Sequence, residues 1–142
     1  MSIDGNYDSN NIFAKILRGE MPCVKVFEND NILAFMDAFP QSKGHTLVIP
    51  KSPCRNILDA GAKDLGRLIG TTQTLSRAIN TALSPDGITV TQFTGAFAGQ
   101  TVFHLHFHII PRYQGKVLGN HGGGMADMAE LQATADKIIA EI

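Results

Sequence analysis

Cysteine is scarce in this 142-residue chain: Cys23 and Cys54 stand alone with no CxxC spacing, so neither a disulfide framework nor a cysteine-rich metal site is encoded. Long apolar runs are missing too. None approaches the ~18 to 20 residues that a membrane span needs, so no membrane partner is expected. The opening stretch MSIDGNYDSN is polar and acidic where a secretory signal has an apolar centre, which makes the cytoplasm the expected compartment. Charge of one sign is also not in excess. Twelve Lys and Arg against 13 Asp and Glu leave a net charge of -1, and no basic cluster is present to coat a polyphosphate backbone. Nucleic acid is therefore not an expected partner, although a single small anion remains compatible. What is present is an ordinary globular composition, 44% apolar and 18% charged, sufficient for one packed domain over residues 1–142 without a metal or disulfide staple.

Periodicity divides that domain. Residues 1–10 read as a flexible lead. Between Asn11 and Arg18, Ile12, Phe13, Ile16 and Leu17 share a helical face, with Ser9 to Asn11 as capping candidates and Gly19 as a stop. Val24 and Val26 alternate with polar neighbours, and Ile32 to Asp37 is a second extended run ended by Phe39-Pro40. His45 to Ile49 follows the turn-forming Ser42-Lys43-Gly44 and puts His45, Leu47 and Ile49 on one face. From Ala62 to Leu83 the apolar residues recur at helical spacing until Ser84-Pro85-Asp86-Gly87 ends the pattern. Ile88 to Phe93 and Val102 to Ile110, separated by GAFAGQ, predict a central hairpin. After Gly122-Gly123-Gly124, a terminal helix is predicted over Met125 to Ile142, inside an extension that spans residues 113–142. Strands grouped together with helices outside them give an α+β class: an antiparallel sheet of about five strands with a short N-terminal helix, one long central helix and a C-terminal helix.

The densest chemistry lies in His104-Leu105-His106-Phe107-His108-Ile109-Ile110. Successive side chains on a strand face opposite ways, so the three histidines share one face while Leu105, Phe107 and Ile109 take the other. A face needing only packing is met more simply by Thr or Val. Imidazole is a common metal ligand, which keeps a metal site open as a reading. Against it, His104 and His108 would lie about 13 Å apart at ~3.3 Å per residue, with no nearby carboxylate to complete a ligand set. Nucleophilic catalysis fits the same face. A neutral imidazole with one nitrogen bonded to the backbone leaves the other to attack phosphorus, and flanking imidazoles bind or protonate the groups around it. The middle residue, His106, is the natural attacker.

Together with IFAKILRGEMP, LAFMDAFPQSKGHTLVIPK and GQTVFHLHFHIIPR, this motif resembles the histidine-triad (HIT) hydrolases over roughly Asn11 to Arg112, and most of all their Hint-type branch. The resemblance implies a HIT-like fold, a homodimer and hydrolysis of purine nucleoside 5'-monophosphoramidates through a covalent nucleotidyl intermediate on His106. By the same likeness His108 contacts the α-phosphate. The backbone carbonyl of His104 orients the nucleophile, and its side chain pairs with His45. Asp37 would hold the ribose hydroxyls, and Ile12, Phe13, Ile16, Phe35 and Ala38 would sandwich the base. Gly99, Gln100, Thr101 and Val102 resemble the phosphate-side loop, where backbone N–H groups approach an anion.

Two departures stand out. Family members commonly carry Asn or Gln seven residues before the position of Gln100, whereas this chain has Phe93 there with Gln92 beside it, and a one-residue slip turns Gln92 to the other strand face. Asn11, Ala14 and Pro53 occupy the places where some bacterial members carry ligands for structural zinc, so neither that metal nor any cofactor is expected. Competing readings are a dinucleoside polyphosphate hydrolase of the same superfamily and a nucleotide-binding interaction module with little catalysis. A Gln replaces the third histidine in the transferase branch, so His108 favours transfer to water. His121, isolated in GNHGGG, reads as a solvated loop residue.

Overall fold

The computed structural model describes residues 3–119 and 124–142. Its elements run α1 (Ile12–Leu17), β1 (Lys25–Glu28), β2 (Ile32–Met36), β3 (Thr46–Pro50), α2 (Ala62–Leu83), β4 (Gly87–Thr91), a 3-10 turn (Ala96–Ala98), β5 (Phe107–Arg112) and α3 (Met128–Ile139). The strands form one five-stranded antiparallel sheet in the order β1-β2-β3-β5-β4, the α+β arrangement expected. Among the described residues, no helix is long and apolar enough to cross a membrane.

Each face of the sheet is covered by helices whose sequences carry one apolar stripe. In α2, Leu68, Leu75 and Ile79 are fully buried, and with Leu131, Ala135 and Ile138 of α3 they pack on Val24, Val26, Ala34, Met36, Val48 and Ile109. Each large aliphatic side chain so buried contributes about 1.5–3 kcal/mol. The stripe on α2 therefore covers the chain's own sheet, while Ile69, also at helical spacing, is 53% exposed. On the opposite face, Phe13 of α1 packs with Leu33, Phe35, Leu47 and Ile49. Asn11 caps α1 by accepting the Ala14 N–H at 2.9 Å, and α2 ends at Ser84 in the left-handed conformation.

The strand carrying the histidines differs from expectation at both ends. Pairing begins at Phe107 rather than Val102, so of the three histidines only His108 belongs to the ladder. The preceding backbone bonds elsewhere: the Leu105 N–H donates to the Cys54 carbonyl at 2.9 Å, and the Val102 carbonyl accepts from the Gln100 amide at 3.0 Å. At its far end β5 continues through Pro111 to Arg112. Pairing with β3 stops at Ile109, so the missing N–H of Pro111 interrupts no two-sided ladder. β4 pairs with β5 as predicted but, like β1, lies at an edge of the sheet rather than its centre, and it stops at Thr91.

Both termini are shorter or better held than their composition suggests. α3 begins at Met128, capped by Asp127, because the Ala126 N–H is turned to the Ala38 carbonyl at 2.9 Å. The lead is tied to the body where a flexible segment was expected: the Asn56 amide donates to the Ile3 carbonyl at 2.9 Å. His121 lies outside the described residues.

Candidate active site

The site grows from the turn before β3. Gly44 adopts φ +94°, a left-handed conformation that glycine alone takes without strain, and delivers His45 into the interior with no measurable exposure. The backbone N–H of Gln41 donates to His45 Nδ1 at 3.0 Å. A neutral His45 must then carry its proton on Nε2, and that nitrogen lies 2.9 Å from His108 Nδ1. His108 Nδ1 is thereby an acceptor, so the proton of neutral His108 sits on Nε2. One backbone amide fixes the tautomers of two imidazoles in series.

The nucleophile position is fixed by the same logic in reverse. His106 Nδ1 lies 2.7 Å from the His104 carbonyl, which can only accept, leaving Nε2 as the lone-pair nitrogen. His104 Nε2 donates to the Pro50 carbonyl at 2.8 Å, and its Nδ1 accepts from the Tyr7 hydroxyl at 2.6 Å. The carbonyl of His104 thus meets His106 as expected, but its side chain does not pair with His45. The expected supporting pair is corrected to His45 with His108 and Tyr7 with His104. β3 offers its Pro50 carbonyl in the direction His104 needs, and His45 emerges at the opposite end of that strand. Tyr7 carried no motif in the sequence, and only its distance of 97 residues from His104 in the chain hides it.

A cavity of about 880 Å³ opens in front of these groups. His106, His108, Asp37, Ile12, Phe13, Ile16, Phe35, Ala38, Thr101 and Val102 all line it, so the proposed base, ribose and phosphate residues converge on one space. The Phe13 ring stands edge-on to Phe35 at 5.4 Å and to His106 at 4.9 Å. Asp37 is 4% exposed rather than an open loop residue; its Oδ1 accepts the Phe39 N–H at 2.8 Å. Met125, Met128 and Leu131 also line the cavity, giving the C-terminal segment a wall that sequence reading left unassigned. An apolar chamber with a few convergent polar groups is the usual form of a small-molecule site.

Gly99 and Gln100 are not among the lining residues. The Gln100 side chain is spent on its own loop, accepting from the Gly95 N–H at 2.8 Å and donating to the carbonyls of Arg55 and Val102. Its expected place as a phosphate donor is corrected to that of a brace behind the loop. The Phe93 ring lies 5.4 Å from the His108 ring, where an amide was the expected residue type, and Gln92 turns away to donate to the Phe93 carbonyl at 2.8 Å.

Asp37, His45 and His108 bring ligand atoms within 4.8 Å of one another, so a carboxylate does stand near two histidines, contrary to the sequence reading. Their hydrogen bonds do not suit a cation. A neutral imidazole bound through Nε2 carries its proton on Nδ1, and that proton would face the Gln41 N–H, a second donor. The trio fits proton placement better than metal binding.

Burial lowers the pKa of His104, opposed by its bond to Pro50 and by Asp59. The folded protein therefore keeps His104 neutral where the unfolded chain, titrating near 6.5, takes up a proton. Because the unfolded state then binds more protons, stability falls as pH drops below about 6.5. Thermal melts are expected to show a lower Tm at pH 5.5 than at pH 7.5, and an equal or higher Tm at the acid value would contradict this assignment.

Comparison with known proteins agrees with this geometry. The HIT domain model matches residues 18–115. A crystal structure of a Hit-like protein involved in cell-cycle regulation from Bartonella henselae, with an unknown ligand, superposes with a TM-score of 0.90 at 48% identity, covering 96% of this chain and all of the other. The adenosine 5'-monophosphoramidase hnt1 of Schizosaccharomyces pombe is 40% identical over 71% of this chain and 73% of its own length. The adenylylsulfatase HINT3 of Arabidopsis thaliana is 37% identical over 77% of this chain and 58% of its own. With the family model spanning the triad and a solved relative matching nearly end to end, the chain belongs to the histidine-triad hydrolase family and is most like its Hint-type branch.

Proposed function

We propose that the protein hydrolyses purine nucleoside 5'-monophosphoramidates through a nucleotidyl intermediate on His106. The observation that carries this reading is the His106 imidazole, held by the His104 carbonyl with Nε2 as its lone-pair nitrogen, on the wall of a cavity it shares with Asp37. His106 Nε2 attacks the α-phosphorus, and the bond from phosphorus to the leaving nitrogen breaks. The leaving nitrogen carries a proton from solvent and departs as a neutral amine, while the Nε2–H of neutral His108 donates to a phosphoryl oxygen. In the second step the oxygen of water attacks phosphorus, the proton of that water passes to solvent and the bond to His106 breaks, releasing the nucleoside monophosphate and a neutral imidazole. Asp37 accepts from the ribose hydroxyls, and the apolar rings of Phe13 and Phe35 flank the base with little discrimination between purines.

Incubation with adenosine 5'-phosphoramidate, a quench in neutral denaturant and peptide mass analysis test both chemistry and residue. The expected result is free AMP and an AMP adduct on His106. Binding of AMP with no adduct and no turnover would favour an interaction module instead, and a higher kcat/KM for a dinucleoside polyphosphate would move the preferred bond from P–N to anhydride.

We propose also that two copies join along β4. This strand is one of the sheet's two edges, its sequence GITVT carries no charge or proline to blunt pairing, and Val90 is 43% exposed, whereas the other edge, β1, carries Lys25 and Glu28. Light scattering is expected to give the mass of two chains, and Val90→Lys the mass of one. A monomeric wild type would end this proposal.

A further inference from the structure

The HIT match starts at residue 18, so Tyr7 lies ahead of it. We propose that Tyr7 is a positioning residue for His106, acting through His104; the inference rests on His106 being the nucleophile.

The sheet itself does not hold His104. Ladder pairing starts at Phe107, so the carbonyl of His104, the group that aligns His106 through its Nδ1–H at 2.7 Å, belongs to a residue outside the strand. Its backbone neighbour Leu105 is tied to the Cys54 carbonyl at 2.9 Å rather than to a strand. The His104 ring is clamped at both nitrogens: Nε2 on the Pro50 carbonyl at 2.8 Å and Nδ1 on the Tyr7 hydroxyl at 2.6 Å. With both nitrogens engaged, the fully buried ring has one tautomer and one orientation, and the carbonyl it carries is set with it.

Tyr7 is itself placed rather than merely near. Its ring stands edge-on to His104 at 5.6 Å and 67°. Asn11, four residues on, donates its Nδ2 to the Asp8 carbonyl at 2.8 Å and so ties the segment that carries Tyr7 to the start of α1. The same Asn11 caps α1, whose Phe13 ring lies 4.9 Å from His106 and 6.4 Å from His104. The segment that carries Tyr7 is thereby joined to the cap of α1, and its hydroxyl meets the residue that aims the nucleophile. Because it donates to His104, the hydroxyl acts with its proton in place and takes no part in bond making.

Tyr7→Phe keeps the ring and removes the donor. The expected result is a kcat for adenosine 5'-phosphoramidate lowered about tenfold, the scale of a lost hydrogen bond to a buried acceptor, with KM and AMP affinity unchanged. Imidazole N–H resonances give a second readout: the His106 Nδ1 proton is expected to exchange faster with solvent in Tyr7→Phe. Deleting residues 1–8 is expected to reproduce the kcat of Tyr7→Phe without a further drop. Wild-type kcat and exchange in Tyr7→Phe would overturn the proposal, as would a lowered Tm alone or a raised KM at unchanged kcat, which would place Tyr7 in stability or nucleoside binding. If wild-type protein forms no nucleotidyl adduct, the reading of His106 as nucleophile fails, whereas the exchange measurement still decides whether Tyr7 orients it.

Discussion

Replacing His106 with alanine is expected to lower kcat for adenosine 5'-phosphoramidate by at least about a thousandfold and to abolish the nucleotidyl adduct. The variant loses the Nε2 that forms the bond to phosphorus, and no other imidazole in the site can take over. His108 Nδ1 is committed to His45, leaving its Nε2 protonated, and both nitrogens of His104 are engaged. Nucleoside binding should survive, because Phe13, Phe35 and Asp37 keep their places around the cavity. AMP affinity within about threefold of wild type, with turnover lost, is the expected pair of results from calorimetry and steady-state kinetics. Turnover within tenfold of wild type would mean that water attacks phosphorus directly and that the covalent route is wrong.

Gly44→Ala is expected to be the most damaging single methyl group in the chain. A Cβ there would lie 2.5 Å from Leu83 Cδ1 and 3.1 Å from Pro111 Cγ, at a φ of +94°. The left-handed conformation costs an alanine about 1–2 kcal/mol, and forcing the half-buried Leu83 aside against the core about 1–3 more. Together these lower the Tm by roughly 10 °C in a chain of this size. Since His45 is the next residue, the same displacement should reduce kcat. A Tm within about 2 °C of wild type would show that the Leu83 end group swings clear at no cost.

These two residues illustrate how far local pattern carries. The 3.6-residue period defined α2 from Ala62 to Leu83 without error, since every turn of that stripe meets the same sheet. That Ile12, Phe13, Ile16, Phe35, Asp37 and Ala38 line one cavity with His106 follows the family resemblance, which groups these positions with the triad. The start of β5 was not legible. Alternation of apolar and polar residues continues through His104, but the backbone there bonds to Cys54, and that partner is fixed by tertiary packing rather than by alternation. The same limit hid the contacts of His45 with His108 and of Tyr7 with His104, which bridge 63 and 97 residues. Gln100 looked like a phosphate donor by its residue type, and only its three partners show that its amide is already used.

The proton that His108 offers is assigned by the main chain at Gln41, and this has a bearing on how the family can vary. A backbone N–H is carried by every residue except proline, so this donor survives exchange of the Gln41 side chain, whose own amide donates to the Gly119 carbonyl at 3.4 Å. Proline is the one exchange that would erase the assignment. The site thus keeps its most delicate property, the whereabouts of a single hydrogen atom, in the part of the polypeptide that point mutation alters least.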